Sequence, residues 1–139
     1  MKEGPSLLLD TCVMLLAAGE EPLRPAARAA IEGAAIARRL LLSPVSAWEI
    51  GLLMSRGRLK SPLSAIEFFD QFVIRASCAV CDVTPAIFAN SSFLPNFPHR
   101  DPADCLMIAT ARTFQYTLVT RDKTILDYGA EGYVNTLAC

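Results

Sequence analysis

Ser6-Leu7-Leu8-Leu9-Asp10-Thr11-Cys12-Val13-Met14-Leu15-Leu16 is the stretch that decides how this chain folds. Ser6 to Leu9 is a short apolar run without polar alternation, the pattern of a strand buried on both faces of a sheet. An acid follows at once. Asp10 stands between Leu9 and the apolar run Cys12 to Leu16, where a carboxylate is costly to bury without a partner or a metal. It is the strongest single pointer to a functional site.

Beyond that strand, Thr11 to Ala18 reads as a short helix and Gly19-Glu20-Glu21-Pro22 as a break. Pro25 opens a long helical pattern through Arg39, with Ala26, Ala29, Ala30 and Ile31 compatible with one face. Leu40 to Leu42 reads as a second buried strand and Ser43-Pro44-Val45 as its exit. Ser46 starts a helix that runs to about Arg56, where Gly57 stops it. Pro62 opens a fourth helix, with Ile66, Phe69, Phe72 and Val73 on one stripe. Val80 to Val83 reads as a strand, and Thr84-Pro85 as the cap and first turn of a further helix. After the loop Leu94 to Arg100, Asp101-Pro102 begins a helix through about Thr113. Thr117 to Thr120 is a strand, Thr124 to Asp127 a helical turn, and Tyr133 to Thr136 a last strand. This alternation predicts an α/β fold, a parallel sheet with helices on both faces. Nothing resembles an interdomain linker, so the expectation is a single domain over residues 1–139.

The 139 residues are 53% hydrophobic and 19% charged, which excludes disorder and allows a sizeable core. A net charge of -1 provides no global basic field, so a polyanion site has to be a local patch. A DNA-binding regulator with a basic recognition helix is disfavoured on the same ground. Mean hydropathy of +0.35 raises the question of a membrane or export segment. The apolar run Leu7 to Ala18 is broken by Asp10 and Thr11 and falls short of the roughly 20 residues a bilayer span needs. Glu3 and Asp10 also contradict a signal peptide. The expectation is a cytoplasmic protein. Five cysteines, an odd number at scattered spacing, predict no disulfide framework. Cys78 and Cys81 form a C-x-x-C, but with no second pair they read as two small buried residues.

In a parallel sheet, the carboxyl ends of the strands and the adjoining helix starts line one edge, where ligands bind. Asp10 follows the first strand directly. Glu49 lies in the first turn of the helix from Ser46, and Asp104 in that of the helix from Asp101-Pro102. Asp122 follows Thr120 with only Arg121 between. Oxygen donors at that density suit Mg²⁺ or Mn²⁺, which activate water and polarise a phosphodiester oxygen. Each acid also has a plain reading. Ser46-Ala47-Trp48-Glu49 makes a capping box, Asp101 an N-cap with Asp104 favouring the helix dipole, and Asp122 the start of a turn. Trp48, beside Ile50, reads as core packing rather than a platform for a base. A phosphatase or response-regulator D-x-D is absent, because Cys12 holds its second position. No nucleotide-binding glycine loop occurs either.

Leu7-Leu8-Leu9-Asp10-Thr11, Ser46-Ala47-Trp48-Glu49-Ile50, His99-Arg100-Asp101-Pro102-Ala103-Asp104-Cys105-Leu106-Met107-Ile108-Ala109-Thr110-Ala111 and Leu118-Val119-Thr120-Arg121-Asp122 occur in that order. Together they resemble the PIN domain family, in particular its VapC-like branch of bacterial type II toxin–antitoxin ribonucleases. The resemblance runs from Leu7 to about Val134. It implies a three-layer α/β/α fold around a central, mainly parallel five-stranded sheet. It also implies an endoribonuclease that hydrolyses RNA phosphodiester bonds with a metal-activated water, using Mg²⁺ or Mn²⁺. The family's acidic cluster carries over to Asp10, Glu49, Asp104 and Asp122. Asp10 and Asp104 are then the most direct ligands, Glu49 completes the shell or orients water, and Asp122 holds the ion directly or through water. Cys105 departs from the family, where arginine is common.

Thr11, Ser46, Asp101 and Thr120 are candidates for supporting those carboxylates from behind. For phosphate contacts, Arg56, Arg58 and Lys60 cluster after the Glu49 helix, and Arg100, Arg112 and Arg121 flank the other acidic words. His99, in its proline-containing loop, reads as a loop cap rather than a phosphate contact. The resemblance implies an antitoxin partner that inserts a peptide near the acidic pocket, and a homodimer. Phe68, Phe69, Phe72, Phe93 and Phe97 are candidates for exposed apolar contacts. The alternative reading is a non-catalytic PIN-like module for RNA or protein binding, its acids serving as caps.

Overall fold

Leu7–Leu9 forms β1, the central strand of a five-stranded sheet in a computed structural model that describes residues 4–98 and 101–139. The remaining elements are α1 (Thr11–Ala18), α2 (Pro25–Ile36), β2 (Leu40–Leu42), α3 (Pro44–Ser55), α4 (Ala65–Arg75), β3 (Ala79–Val80), α5 (Pro85–Asn90), α6 (Pro102–Phe114), β4 (Thr117–Thr120), α7 (Lys123–Ala130) and β5 (Asn135–Ala138). The strand order is β3-β2-β1-β4-β5 and every pairing is parallel. Leu7 is in register with Leu40 on one side and with Thr117 on the other. That position explains the leucine triplet, since a central strand covered on both faces has no polar side.

The chain steps from β1 through β2 to β3, then crosses back to lay β4 and β5 on the opposite flank. Right-handed crossovers in opposite directions put their helices on opposite faces. Leu7, Leu9 and Val119 accordingly pack with Val13, Met14, Ile50 and Phe69 from α1, α3 and α4. Leu8 and Leu118 point the other way, into Ile87, Met107, Ile108, Ile125 and Tyr128 from α5, α6 and α7. The side-chain alternation of a strand thus divides the core into two layers. Among the described residues no helix is long and apolar enough to cross a membrane.

Several boundaries differ from the sequence expectation, each for a local reason. Helix α2 ends at Ile36 rather than Arg39, because Arg38 takes a left-handed φ of 61° that turns the chain into β2. Helix α3 starts at Pro44 and not at Ser46. Ser43 is its N-cap and accepts a bond from the Val45 amide at 3.0 Å, while Pro44 loses nothing in the first turn. Helix α4 starts at Ala65 rather than Pro62, behind a reciprocal capping box of Ser64 and Glu67. Strand β3 covers Ala79–Val80 instead of Val80 to Val83. The predicted turn Thr124 to Asp127 is a full helix, α7, and the last strand runs Asn135–Ala138 instead of Tyr133 to Thr136. Tyr133 is used before the strand begins, stacked 4.7 Å from the Tyr128 ring.

Helix α7 and strand β5 meet where Gly129 faces Thr136. A Cβ at Gly129 would overlap Thr136 Oγ1 and lie 2.7 Å from its Cγ2, closer than packed atoms tolerate, with its Cβ a tight 3.1 Å away. Gly129→Ala is expected to destabilise the fold by roughly 1–3 kcal/mol, as overpacking does. Thr136→Ala in the same chain should recover part of that loss. Urea denaturation checks both, and a single substitution without effect would contradict this packing.

Candidate active site

Strands β1 and β4 are neighbours whose connections leave toward opposite flanks of the sheet, and such a switch leaves a crevice at the carboxyl ends. Here the crevice is a cleft of about 660 Å³. Leu15, Leu16 and Leu53 form its apolar wall, and Asp10, Glu49, Asp104 and Asp122 line it together with Thr11, Cys12 and Arg121. The four acids singled out in the sequence therefore share one cavity. Each arrives by a different route: Asp10 at the exit of β1, Glu49 on α3, Asp104 in the first turn of α6, and Asp122 just after β4.

Asp10 is only 7% exposed. Its amide continues the sheet ladder to the Val119 carbonyl at 2.9 Å, which fixes the backbone. Thr120 Oγ1 donates to Asp10 Oδ2 at 2.6 Å, and the Cys12 thiol lies 3.6 Å from the same oxygen. Burial raises the Asp10 carboxyl above its ordinary range, with the Thr120 bond opposing that shift. Thr120 also accepts the Asp122 amide at 3.1 Å, so one buried hydroxyl ties two acids of the cleft together.

Glu49 corrects the sequence reading. Because α3 begins at Pro44, Glu49 falls in its second turn and Ser46 is inside the helix, so the predicted capping box does not form. Thr11 donates instead to Glu49 Oε1. A hydroxyl has one proton to give, and this one is committed to Glu49. Ser46 must therefore donate to Thr11, across 2.8 Å. This two-hydroxyl chain steers the carboxylate toward α1. Burial raises Glu49, the Thr11 bond lowers it, and the charges of Asp10 and Asp101 add to the rise.

Asp101 is the N-cap of α6 as the sequence suggests, its Oδ1 accepting from the Ala103 amide at 2.9 Å and the Asp104 amide at 3.1 Å. It holds the first turn that carries Asp104. Burial, reinforced by the charges of Asp101, Asp10, Asp122 and Glu49, pushes the Asp104 carboxyl up to about 7. Asp122 caps α7, its Oδ1 accepting from the Ile125 amide at 3.1 Å. Among the described residues, no three acidic, histidine or cysteine side chains draw close enough to form a finished coordination shell. The chemistry of the donors still fits a hard divalent cation: oxygen atoms in one cleft, raising each other's affinity for positive charge.

The basic residues divide. Arg56, Arg58 and Lys60 are exposed and none lines the cleft, because α3 runs away from the acid edge. Arg112 is bound to the Tyr133 carbonyl at 2.6 Å. Arg100 and His99 lie outside the described residues. Arg121 does line the cleft, which its place between Thr120 and Asp122 signalled in the sequence. Trp48 is another correction. It is 48% exposed and borders a separate apolar cleft with Phe88, Pro102 and Leu106, because residues two apart on a helix face different ways and Ile50 takes the core side. Of the phenylalanines, Phe69 and Phe72 are buried, Phe68 and Phe97 are half-buried, and Phe93 is exposed. Burial pushes the Cys78 and Cys81 thiols up to about 11, which fits their plain structural reading. Cys12, raised by burial and by Asp10 to about 12, is likewise no thiolate nucleophile.

A PIN domain family model matches residues 7–131. A search of curated proteins returns no match. Among solved structures, the chain resembles VapBC2 from Rickettsia felis bound to a DNA fragment from their promoter, with a TM-score of 0.71 and 16% identity over 95% of this chain and 97% of that one. A toxin–antitoxin complex from Klebsiella pneumoniae gives a TM-score of 0.59 and 17% identity, covering 95% of this chain and 96% of that one. FitAcB from Neisseria gonorrhoeae gives 0.58 and 17%, covering 94% and 96% respectively. At these identities the structural likeness carries the fold, and the family model carries the membership. Acids at the ends of β1 and β4 and on α3 and α6, the order β3-β2-β1-β4-β5 and the family match over most of the chain agree: this protein belongs to the PIN domain family.

Proposed function

We propose that this protein is a Mg²⁺- or Mn²⁺-dependent endoribonuclease and the toxin of a type II toxin–antitoxin pair. The observation that carries the proposal is the cleft in which Asp10, Glu49, Asp104 and Asp122 meet from four remote segments. In this reading Asp10 and Asp104 hold the ion, Asp122 assists directly or through water, and Glu49 completes the shell or orients the attacking water. A bound divalent ion would supply a lowered water pKa and a polarised phosphodiester oxygen. The chain's own residues do the positioning: Thr120 aims Asp10, the Ser46–Thr11 pair aims Glu49, and Asp101 fixes the turn bearing Asp104. Arg56, Arg58 and Lys60 remain candidates for holding RNA outside the cleft, and Arg100, beyond the described residues, remains a candidate for an RNA contact.

Likeness to solved toxin–antitoxin complexes supports an antitoxin partner, and the proposal includes a homodimer acting in the cytoplasm. A non-catalytic binding module is the second reading, favoured by the capping roles of Asp101 and Asp122. Labelled RNA separates them. Incubation with Mg²⁺ or Mn²⁺ should give cleavage that a chelator stops and that Asp10→Asn and Asp104→Asn abolish. Thr120→Val should weaken metal affinity by about 10–100-fold, the usual effect of losing such support. Wild-type protein without chelator-sensitive cleavage would contradict the nuclease reading and favour the binding module.

The raised Asp104 carboxyl makes a second prediction. Its pKa of about 7 lies above the ordinary 3.8, so the folded state favours the protonated form. That stabilisation is complete below the ordinary value and is lost as pH rises through about 7. In metal-free protein, the Tm of Asp104→Asn relative to wild type should therefore climb between acid and neutral pH. Divalent metal should raise the wild-type Tm most at neutral pH, where the carboxylates repel most. A pH-independent difference between the two proteins would contradict the electrostatics of the cleft.

A further inference from the structure

We propose that Arg121 grips an RNA phosphate at the acidic cleft, a role that rests on the ribonuclease reading above. The problem it solves is one of sign. A phosphodiester entering a cleft lined by four carboxylates meets like charge, and cations must offset that repulsion. Among the described residues that line the cleft, Arg121 is the one basic side chain.

Its guanidinium is already placed. Nε donates to the Cys139 main-chain oxygen at 3.1 Å, and Nη2 to the Pro22 carbonyl at 3.3 Å. The first anchor is itself rigid, because the Cys139 amide extends the sheet ladder to the Thr120 carbonyl at 3.2 Å. Arginine carries five N–H donors, so these two bonds leave three for a ligand. Neither Arg28–Glu32 nor Lys123–Asp127, the ion pairs seen among the described residues, involves Arg121. A planar donor group held in place before binding loses less entropy when it takes a phosphate. In sequence Arg121 separates Thr120, which holds Asp10, from Asp122, so the same stretch of backbone locates acid and base.

The plain alternative is a fastener that ties the end of β5 to the segment before α2. Binding of an end-labelled oligouridylate, followed by fluorescence anisotropy in EDTA over a KCl series, distinguishes the two. Arg121→Gln should weaken binding roughly tenfold, the scale of a lost charged hydrogen bond. It should also lower the slope of log affinity against log salt by about 0.7, the value for one phosphate on a single strand. Arg121→Lys should restore the slope, because a lysine keeps the charge, while its Tm stays as low as that of Arg121→Gln. Unchanged affinity and slope in Arg121→Gln, with only Tm reduced, would overturn the proposal, as would wild-type protein that binds no RNA. RNA bound through Arg121 but never cut when Mg²⁺ is present would refute the nuclease reading and leave this assignment standing.

Discussion

Carboxylates repel one another, and the topology of this sheet leaves four of them nowhere else to go. The exit of β1 places Asp10 in the crevice beside β4, β4 itself leads to Asp122, and α3 and α6 bring Glu49 and Asp104 to the same edge. Nothing in the hydrophobic packing requires acids at these positions. Their presence is an energetic burden that the fold offsets with hydroxyl groups, one from Thr120 and a pair from Thr11 and Ser46. Those three side chains are buried, and each spends its hydrogen bond at the cleft. The offset is partial, as the elevated Asp104 carboxyl shows. A site arranged this way gains stability from any cation that enters it.

The division of the core explains how the fold can hold such a site. Helices α1 to α4 cover one face and α5 to α7 the other, so the sheet is sealed except along its edges. Most of the hydrophobic free energy is committed to the two layers, away from the acid edge. The structures that resemble this chain share 16% or 17% of its residues yet superpose over almost its whole length. Layered α/β packing tolerates such divergence because it needs apolar residues of suitable volume rather than particular ones.

Much of this was legible in the sequence, and the exceptions are instructive. Leu7-Leu8-Leu9-Asp10 identifies a central strand with an acid at its end because two local signals, continuous hydrophobicity and an abrupt charge, coincide. Asp101-Pro102 marks the start of α6 because N-cap and first-turn proline are local chemistry. Helix α3 shows the limit. Ser46 reads as the start because Glu49 follows three residues on, whereas the helix starts at Ser43-Pro44 and the Ser46 hydroxyl is taken by Thr11. That two-residue difference moves Glu49 from a cap to a second-turn residue. The place of Arg121 beside Asp122 was legible, but its anchors, Pro22 and Cys139, were hidden because they are remote in sequence. Pairing with β4 sets the register of β5, which the short run Tyr133 to Thr136 could not reveal by itself.

If the clustered carboxylates hold a divalent cation, as proposed, their protons are displaced when the ion binds. Titrating Mn²⁺ calorimetrically into metal-free protein at about pH 6.5, in two buffers of different ionisation enthalpy, measures that exchange directly. Saturable binding with net proton release is expected, reduced when Asp104, held near 7, is replaced by asparagine. Binding heats identical in both buffers, or no binding at all, would contradict it.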